Sequence, residues 1–282
     1  MINILMCGNR GVFDGMLLTV LSIIKHSART INLFIGTMDL SDVNPHFIPV
    51  SEDDCAKIRA LLKEKNPEST AQLIDFEENF RCELINSKNI NTGYTPYAMI
   101  RLFADECELL PDKLLYLDTD VLLSGDIGEL YDIDVEGCDL AGVRDHYGRF
   151  FIYPNYLNSG VMLWNLKAIR EKGIFRRATK LCNDKKMLLM DQSAINKYAK
   201  KKLILPPRFN EQHKNHKDTL IRHFSMRIKW FPIFKTEKIK PWNFELIHKK
   251  LGLHEYDDVF DRFESIKKGY RAEKEAKAPI NQ

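Results

Sequence analysis

The sequence predicts an α/β fold, a mostly parallel central sheet flanked by helices. Three observations lead there. Strand-like runs alternate with helical patterns, the order that buries a parallel sheet between two helical layers. One apolar run, Lys113–Leu117, passes straight into Asp118-x-Asp120, and open α/β sheets bind ligands at the carboxyl ends of their strands. Finally, 282 residues with 44% hydrophobic and 29% charged content make one large domain or two small ones, long enough to bury a core without staples.

The elements follow in order. Ile2–Cys7 is a short β run, and Gly8–Gly11 is a turn. Gly15–Lys25 has helical spacing through Leu17, Leu18, Leu21 and Ile24. Ile31–Ile35 is a second strand, and Ser51–Lys65 is a helix opening on the capping box Ser51-x-x-Asp54. Gln72–Phe76 is a third strand. Thr95-Pro96 supplies a cap and a first-turn proline for a helix over Tyr97–Cys107. Beyond Lys113–Leu117, strands are expected at Asp139–Val143 and Gly160–Leu163. Helices are expected at Leu166–Lys172, Phe175–Cys182 and Gln192–Lys200, with a terminal helix from Lys267.

Charge is uneven along the chain. The 42 basic and 39 acidic residues leave a net of only +3, too balanced to argue for nucleic acid. Yet residues 1–160 carry 13 basic and 25 acidic side chains, while residues 161–230 carry 18 and 5. That order suits acidic metal ligands joined to basic groups that meet a polyanion, or a basic face resting on anionic lipid. The longest apolar runs fall far short of the ~20 residues of a membrane span. Met1–Met6 reads as a strand, not a signal peptide. The scattered Cys7, Cys55, Cys82, Cys107, Cys138 and Cys182 fit free thiols in a reducing cytoplasm.

The sharpest chemical feature is Asp118-x-Asp120. Residues i and i+2 of an extended segment face the same way, so both carboxylates can share one hard cation, Mg²⁺ or Mn²⁺. His223, in the strand-like run Leu220–Phe224, competes with His213 and His216 as a third ligand, and an imidazole would favour Mn²⁺. No P-loop, dinucleotide fingerprint, H-E-x-x-H or G-x-S-x-G is present. Ser22-x-x-Lys25 lies inside an amphipathic helix and belongs to the core.

Leu115-Tyr-Leu-Asp-Thr-Asp-Val-Leu122, Asn158-Ser-Gly-Val-Met-Leu-Trp-Asn-Leu166, Asp191-Gln192, Arg208-Phe-Asn210 and His223 followed by Lys240-Pro-Trp242 resemble, in order, the bacterial glycosyltransferase family 8. That family includes lipopolysaccharide galactosyl- and glucosyltransferases and the glycogenins. The resemblance covers roughly residues 1–245. It implies a GT-A fold with a Rossmann-like nucleotide-binding core, here a domain over 1–250 with a C-terminal helical extension at 251–282. It also implies a UDP-glucose or UDP-galactose donor, a glycan or glycolipid acceptor, Mn²⁺ with Mg²⁺ as the alternative, and retention of anomeric configuration.

By position, the resemblance makes Asp118, Asp120 and His223 the metal ligands. It places Arg101 at the donor sugar, Asn158 and Asp191 on sugar hydroxyls, Gln192 by the anomeric carbon, Asp145 near both sugars, and Lys240 at the diphosphate. Lys229 and Lys235 are the alternatives for that last role. Cys7, Asn9, Thr119 and Ser159 complete the donor-binding set. Where the family usually has acidic residues contacting uracil, this chain has Gly8-Asn9-Arg10-Gly11, and Asn9 is the residue able to meet a base edge.

An amide oxygen is a weak nucleophile, so Gln192 favours front-face attack, with the leaving phosphate taking the acceptor's proton. Two rival readings remain. Asp118-Thr-Asp-Val-Leu122 also fits the first motif of haloacid-dehalogenase-type Mg²⁺ phosphatases, although that motif normally lies on the first strand. A non-catalytic homologue holding a nucleotide-sugar is the other. The expected location is the cytoplasm, with peripheral contact at the inner face of the membrane.

Overall fold

The structure is a computed structural model describing residues 1–90, 95–229 and 235–277. β1 (Ile2–Cys7) runs through a 3-10 turn at Arg10–Val12 into α1 (Phe13–His26). β2 (Ile31–Thr37), α2 (Glu52–Lys65), β3 (Thr70–Asp75) and α3 (Glu77–Glu83) follow. Of the expected capping box the N-cap half is seen: Ser51 Oγ accepts from the Asp54 amide at 3.2 Å, while Asp54 Oδ2 accepts from the Ser51 hydroxyl at 2.8 Å. Pro96–Phe103 is a 3-10 helix that stops short of the expected Cys107. Within it, Arg101 Nε donates to the Ala98 carbonyl at 2.8 Å.

β4 (Lys113–Leu117), β5 (Val121–Leu123), α4 (Gly128–Tyr131), β6 (Leu140–Arg144) and α5 (Gly148–Phe151) lead to β7 (Leu157–Asn165). Then come α6 (Leu166–Lys172), α7 (Ile174–Asp184), α8 (Met190–Tyr198) and β8 (Lys202–Leu205). Short strands β9 (Ile221–His223), β10 (Arg227–Lys229) and β11 (Lys235–Glu237) precede α9 (Phe244–Leu246) and the long α10 (Asp257–Lys277). β8 was not foreseen, because Lys202 and its lysine neighbours mask a four-residue apolar pattern.

Among the described residues the main sheet has seven strands in the order β3-β2-β1-β4-β7-β6-β8. All neighbours are parallel except at β7, which runs antiparallel to both β4 and β6. Side chains alternate across it. Ile2, Ile4 and Met6 of β1 pack with α1, α2 and α10, while Leu5 and Cys7 face α7, α8 and the 3-10 helix. On that second face Trp164 of β7 stacks on Tyr116 of β4 at 5.1 Å, both fully buried. Losing a side chain of that size from a core costs about 3–5 kcal/mol.

This topology positions the site. The chain turns back across the sheet between β1 and β4, and such a switch point opens a crevice beyond the strand ends. Because β7 is reversed, its first residues lie beside the last of β4: the Asp118 amide donates to the Gly160 carbonyl at 2.7 Å.

Candidate active site

Asp118 follows β4 directly, but residues 119–120 form a turn, not an extended continuation. The two carboxylates therefore converge through a bend that drops Val121 into a second, two-stranded sheet, in which β5 pairs antiparallel with β9. Val121 lies opposite His223, and the Phe224 amide donates to the Asp120 carbonyl at 2.9 Å. So a local turn and a distant strand together bring the histidine to the aspartates. His223 Nε2 is 3.2 Å from Asp120 Oδ1 and 3.8 Å from Asp118 Oδ2.

The tautomer follows from the other ring nitrogen. His223 Nδ1 lies 3.1 Å from Asn210 Oδ1, and Asn210 Nδ2 donates to Asn158 Oδ1 at 2.9 Å. With its amide nitrogen committed, Asn210 offers an acceptor, so Nδ1 carries a proton and Nε2 is the nitrogen turned to the carboxylates. Gly160 makes room: a Cβ there would lie 2.2 Å from His223 Cε1 and 2.8 Å from Asp118 Oδ2.

Asp120 is buried, and burial alone would raise its pKa. Lys240, whose Nζ contacts Asp120 Oδ2, and His223 outweigh that and hold the carboxyl well below the usual range. Lys240 is brought there by its own loop, in which Trp242 packs against Gly15 at the start of α1. The donor set fits a divalent cation: Asp118, Asp120 and His223 each offer a ligand atom, all within 4.8 Å of one another, and the orienting partner of the histidine is in place. The alternatives do not join it. His213 stacks on His146 at 4.8 Å, and His216 approaches Glu211 at 3.8 Å.

Beneath Asp118 lies a buried cation. Arg101 is 3% exposed and donates to Asp118 Oδ1 at 2.9 Å and to the Ser159 carbonyl at 2.8 Å. Its plane covers the Tyr116 ring at 4.1 Å, and the Tyr116 hydroxyl also donates to Asp118 Oδ1, at 2.9 Å. Burial would lower the Arg101 pKa, but Asp118, Tyr116 and Asp191 raise it further, so the guanidinium stays charged. Arg101 thus holds the first carboxylate of the cluster from behind.

Asp191 enters from α8, just after Met190 at φ +26°, a backbone angle that a non-glycine residue seldom adopts. Its Oδ2 is 3.2 Å from Arg101 Nε, yet that N–H is donated to Ala98, and Asp191 Oδ2 accepts no hydrogen bond. Burial, helped by Asp118 and opposed by Arg101, pushes the Asp191 carboxyl up to about 6.

Gln192, the next residue, sits at the hub of a polar network. Its Oε1 accepts from the Ser159 amide at 3.0 Å, Ser159 Oγ at 3.2 Å and Asn158 Nδ2 at 3.4 Å. Its Nε2 donates to Asp145 Oδ2 at 3.2 Å, which Asn158 Nδ2 also reaches, at 3.0 Å. Asp145 is fixed in turn by the Gly148 and Tyr147 amides at 2.6 and 3.1 Å.

Cys7 is buried, its thiol pushed up to about 12 by desolvation. Asn9 is 7% exposed and donates Nδ2 to the His46 carbonyl at 3.1 Å. Thr119 is half-buried beside Gly8. The side chains of Lys229 and Lys235 lie outside the described residues. Tyr116 and the orienting role of Asn210 were not anticipated. A lone tyrosine in an aliphatic strand, and an asparagine inside a recognised block, were the only signals.

The profile of glycosyl transferase family 8 matches residues 3–245. The chain belongs to that family. Among curated proteins it is 28% identical over 136 residues to a probable glycosyl transferase, Gly, of Streptococcus gordonii, covering 45% of this chain and 20% of that protein. It is 29% identical over 121 residues to glycosyltransferase GlyF of Streptococcus pneumoniae, covering 41% of this chain and 29% of GlyF. The chain thus spans less than a third of these relatives. Among solved structures, the galactosyltransferase LgtC in complex with donor and acceptor sugar analogs superposes with a TM-score of 0.67 at 18% identity, covering 94% of this chain and 96% of LgtC. GlyE of Streptococcus pneumoniae gives 0.62 at 18% identity, over 94% of this chain and 64% of that one. These likenesses establish the GT-A fold. No helix among the described residues is long and apolar enough to cross a membrane.

Proposed function

We propose that this family 8 protein transfers glucose or galactose from a UDP-sugar to a glycan acceptor, with Mn²⁺ and with retention of configuration. The observation that carries this reading is the convergence of the Asp118–Asp120–His223 cluster and the Arg101–Asp191–Gln192–Asn158–Asp145 network at one strand end. One part suits a metal-bound diphosphate, the other a sugar.

Asp118, Asp120 and His223 would hold the ion, with Mg²⁺ the alternative; when bound it supplies a Lewis acid for the departing diphosphate. Lys240, now on Asp120, is the cation placed to share that charge. Asp191, whose buried Oδ2 accepts no hydrogen bond, would accept from a sugar hydroxyl once the site admits one, and Asn158 and Asp145 would frame the ring. Cys7, Asn9, Thr119 and Ser159 line the donor side, and Asn9 meets the base if its bond to His46 yields. Domain limits of 1–250 and 251–282 go with this reading, as does a cytoplasmic location with peripheral membrane contact.

Front-face attack is favoured by the state of Gln192. Three donors already draw on its Oε1, which leaves a weak amide oxygen weaker still as a nucleophile. The leaving phosphate oxygen then takes the proton of the incoming hydroxyl. The phosphatase reading fares worse, since the glycosyl transferase family 8 profile spans residues 3–245 and the Asp118–Asp120 pair follows the fourth strand of the chain, not the first.

Incubation with UDP-glucose or UDP-galactose and Mn²⁺ should release UDP and yield a product that keeps the donor's anomeric configuration. Asp120→Ala or EDTA should abolish turnover. A thermal shift with UDP and Mn²⁺ but no turnover of any nucleotide-sugar would instead favour a binding homologue.

A further inference from the structure

We infer that His248, His254 and Asp257 form a second metal site, selective for Zn²⁺-type ions and separate from the donor site. His248 lies in the helical turn Ile247–Leu251 that follows α9, and Asp257 opens α10. His248 Nε2 is 2.7 Å from Asp257 Oδ1, and His254 Nδ1 is 3.1 Å from Asp257 Oδ2. The two imidazoles lie face to face, centroids 4.5 Å apart and planes within 18°. All three ligand atoms fall within 4.8 Å of one another.

Two ring nitrogens turned onto one carboxylate admit two occupants. Either each ring donates a proton to Asp257, or both nitrogens and one oxygen bind a cation. Two imidazoles and a carboxylate are a familiar Zn²⁺ set that leaves a position for water, whereas Mg²⁺ and Ca²⁺ prefer all-oxygen shells. The side chains are 36%, 66% and 45% exposed, so an ion has direct access and water can complete the shell. The positive end of α10 would oppose a cation, and Asp257 with its exposed neighbour Glu255 offsets it, Asp258 being paired with Lys25 at 2.7 Å.

Such an ion closes the stretch from 248 to 257 onto itself. That stretch is continuous with the loop bearing Lys240 and Trp242, and Phe244 of α9 stacks on Phe260 of α10 at 4.2 Å. A bound ion would therefore brace the base of the Lys240 loop. The inference stands independently of the glycosyl-transfer reading.

The test is equilibrium dialysis with Zn²⁺ on Asp120→Ala, which disables the donor-site cluster, and on Asp120→Ala/His254→Ala. The first should retain one equivalent and the second none, and Co²⁺ should give visible tetrahedral bands with the first alone. No zinc on Asp120→Ala, or equal zinc on both, overturns the site. If Asp120→Ala does not fold, wild type and His254→Ala are compared. The exposed substitution should then cost one equivalent, and an unchanged stoichiometry overturns the site.

Discussion

Asn210 Oδ1 receives the Nδ1 proton of His223 across 3.1 Å, and the same amide donates to Asn158. One side chain thereby couples the candidate metal ligands to the candidate sugar network. Replacing it leaves His223 in place but frees the ring to exchange tautomers. Asn210→Ala should weaken Mn²⁺ binding by about 10–100-fold, the usual loss when a ligand's outer partner is removed. Manganese titration followed by electron paramagnetic resonance measures this directly, and an unchanged affinity refutes the coupling.

Gly160 sits where no side chain fits, its hypothetical Cβ only 2.2 Å from His223 Cε1. Gly160→Ala should displace His223 and cost about 1–3 kcal/mol through overpacking. Chemical denaturation gives the stability change, and Mn²⁺ binding should fall with it. A variant that binds Mn²⁺ normally would show that the ring has room to move.

Asp191 ionises near pH 6 because burial outweighs Arg101. A raised carboxyl pKa means that ionisation costs folded stability, so this residue's penalty grows as pH rises from the ordinary aspartate range to about 6 and is constant above it. Thermal melts of wild type and Asp191→Asn should therefore diverge over that window in favour of the variant. kcat/KM of the wild type should fall below about pH 6 as the carboxylate is lost, and the variant should lack that limb on a lower plateau. The same acid limb in both proteins would assign it to another group.

Lys240 contacts Asp120 Oδ2, so its charge stands against a cation beside the Oδ1 that faces His223. Lys240→Met should therefore raise Mn²⁺ affinity in the nucleotide-free protein while lowering kcat by about 10²–10³-fold, typical for loss of one charge-stabilising donor. If both quantities fall together, Lys240 serves the site only by holding its loop.

The sequence by itself determined the α/β class and most of the main strands, and it pointed to many of the residues the fold brings together, because each is written locally. Helical and strand periodicities are visible over a few residues, Ser51 caps α2 through its own neighbour Asp54, and Asp118-x-Asp120 stands at the end of a plainly apolar run. Family blocks such as Asn158-Ser-Gly160 and Arg208-Phe-Asn210 pointed to the rest. What the chain could not announce were relations between distant segments. Only the fold shows that β7 runs backwards, which sets Gly160 against Asp118, and that β9 pairs with β5, which delivers His223 to Asp120. The turn at 119–120, the burial of Arg101 beneath Asp118, the buried Asp191 oxygen without a hydrogen-bond donor and the engaged oxygen of Gln192 belong to the same class. Residue type fixes what a side chain can do chemically; its pKa, its tautomer and its free lone pairs depend on neighbours that only tertiary packing supplies.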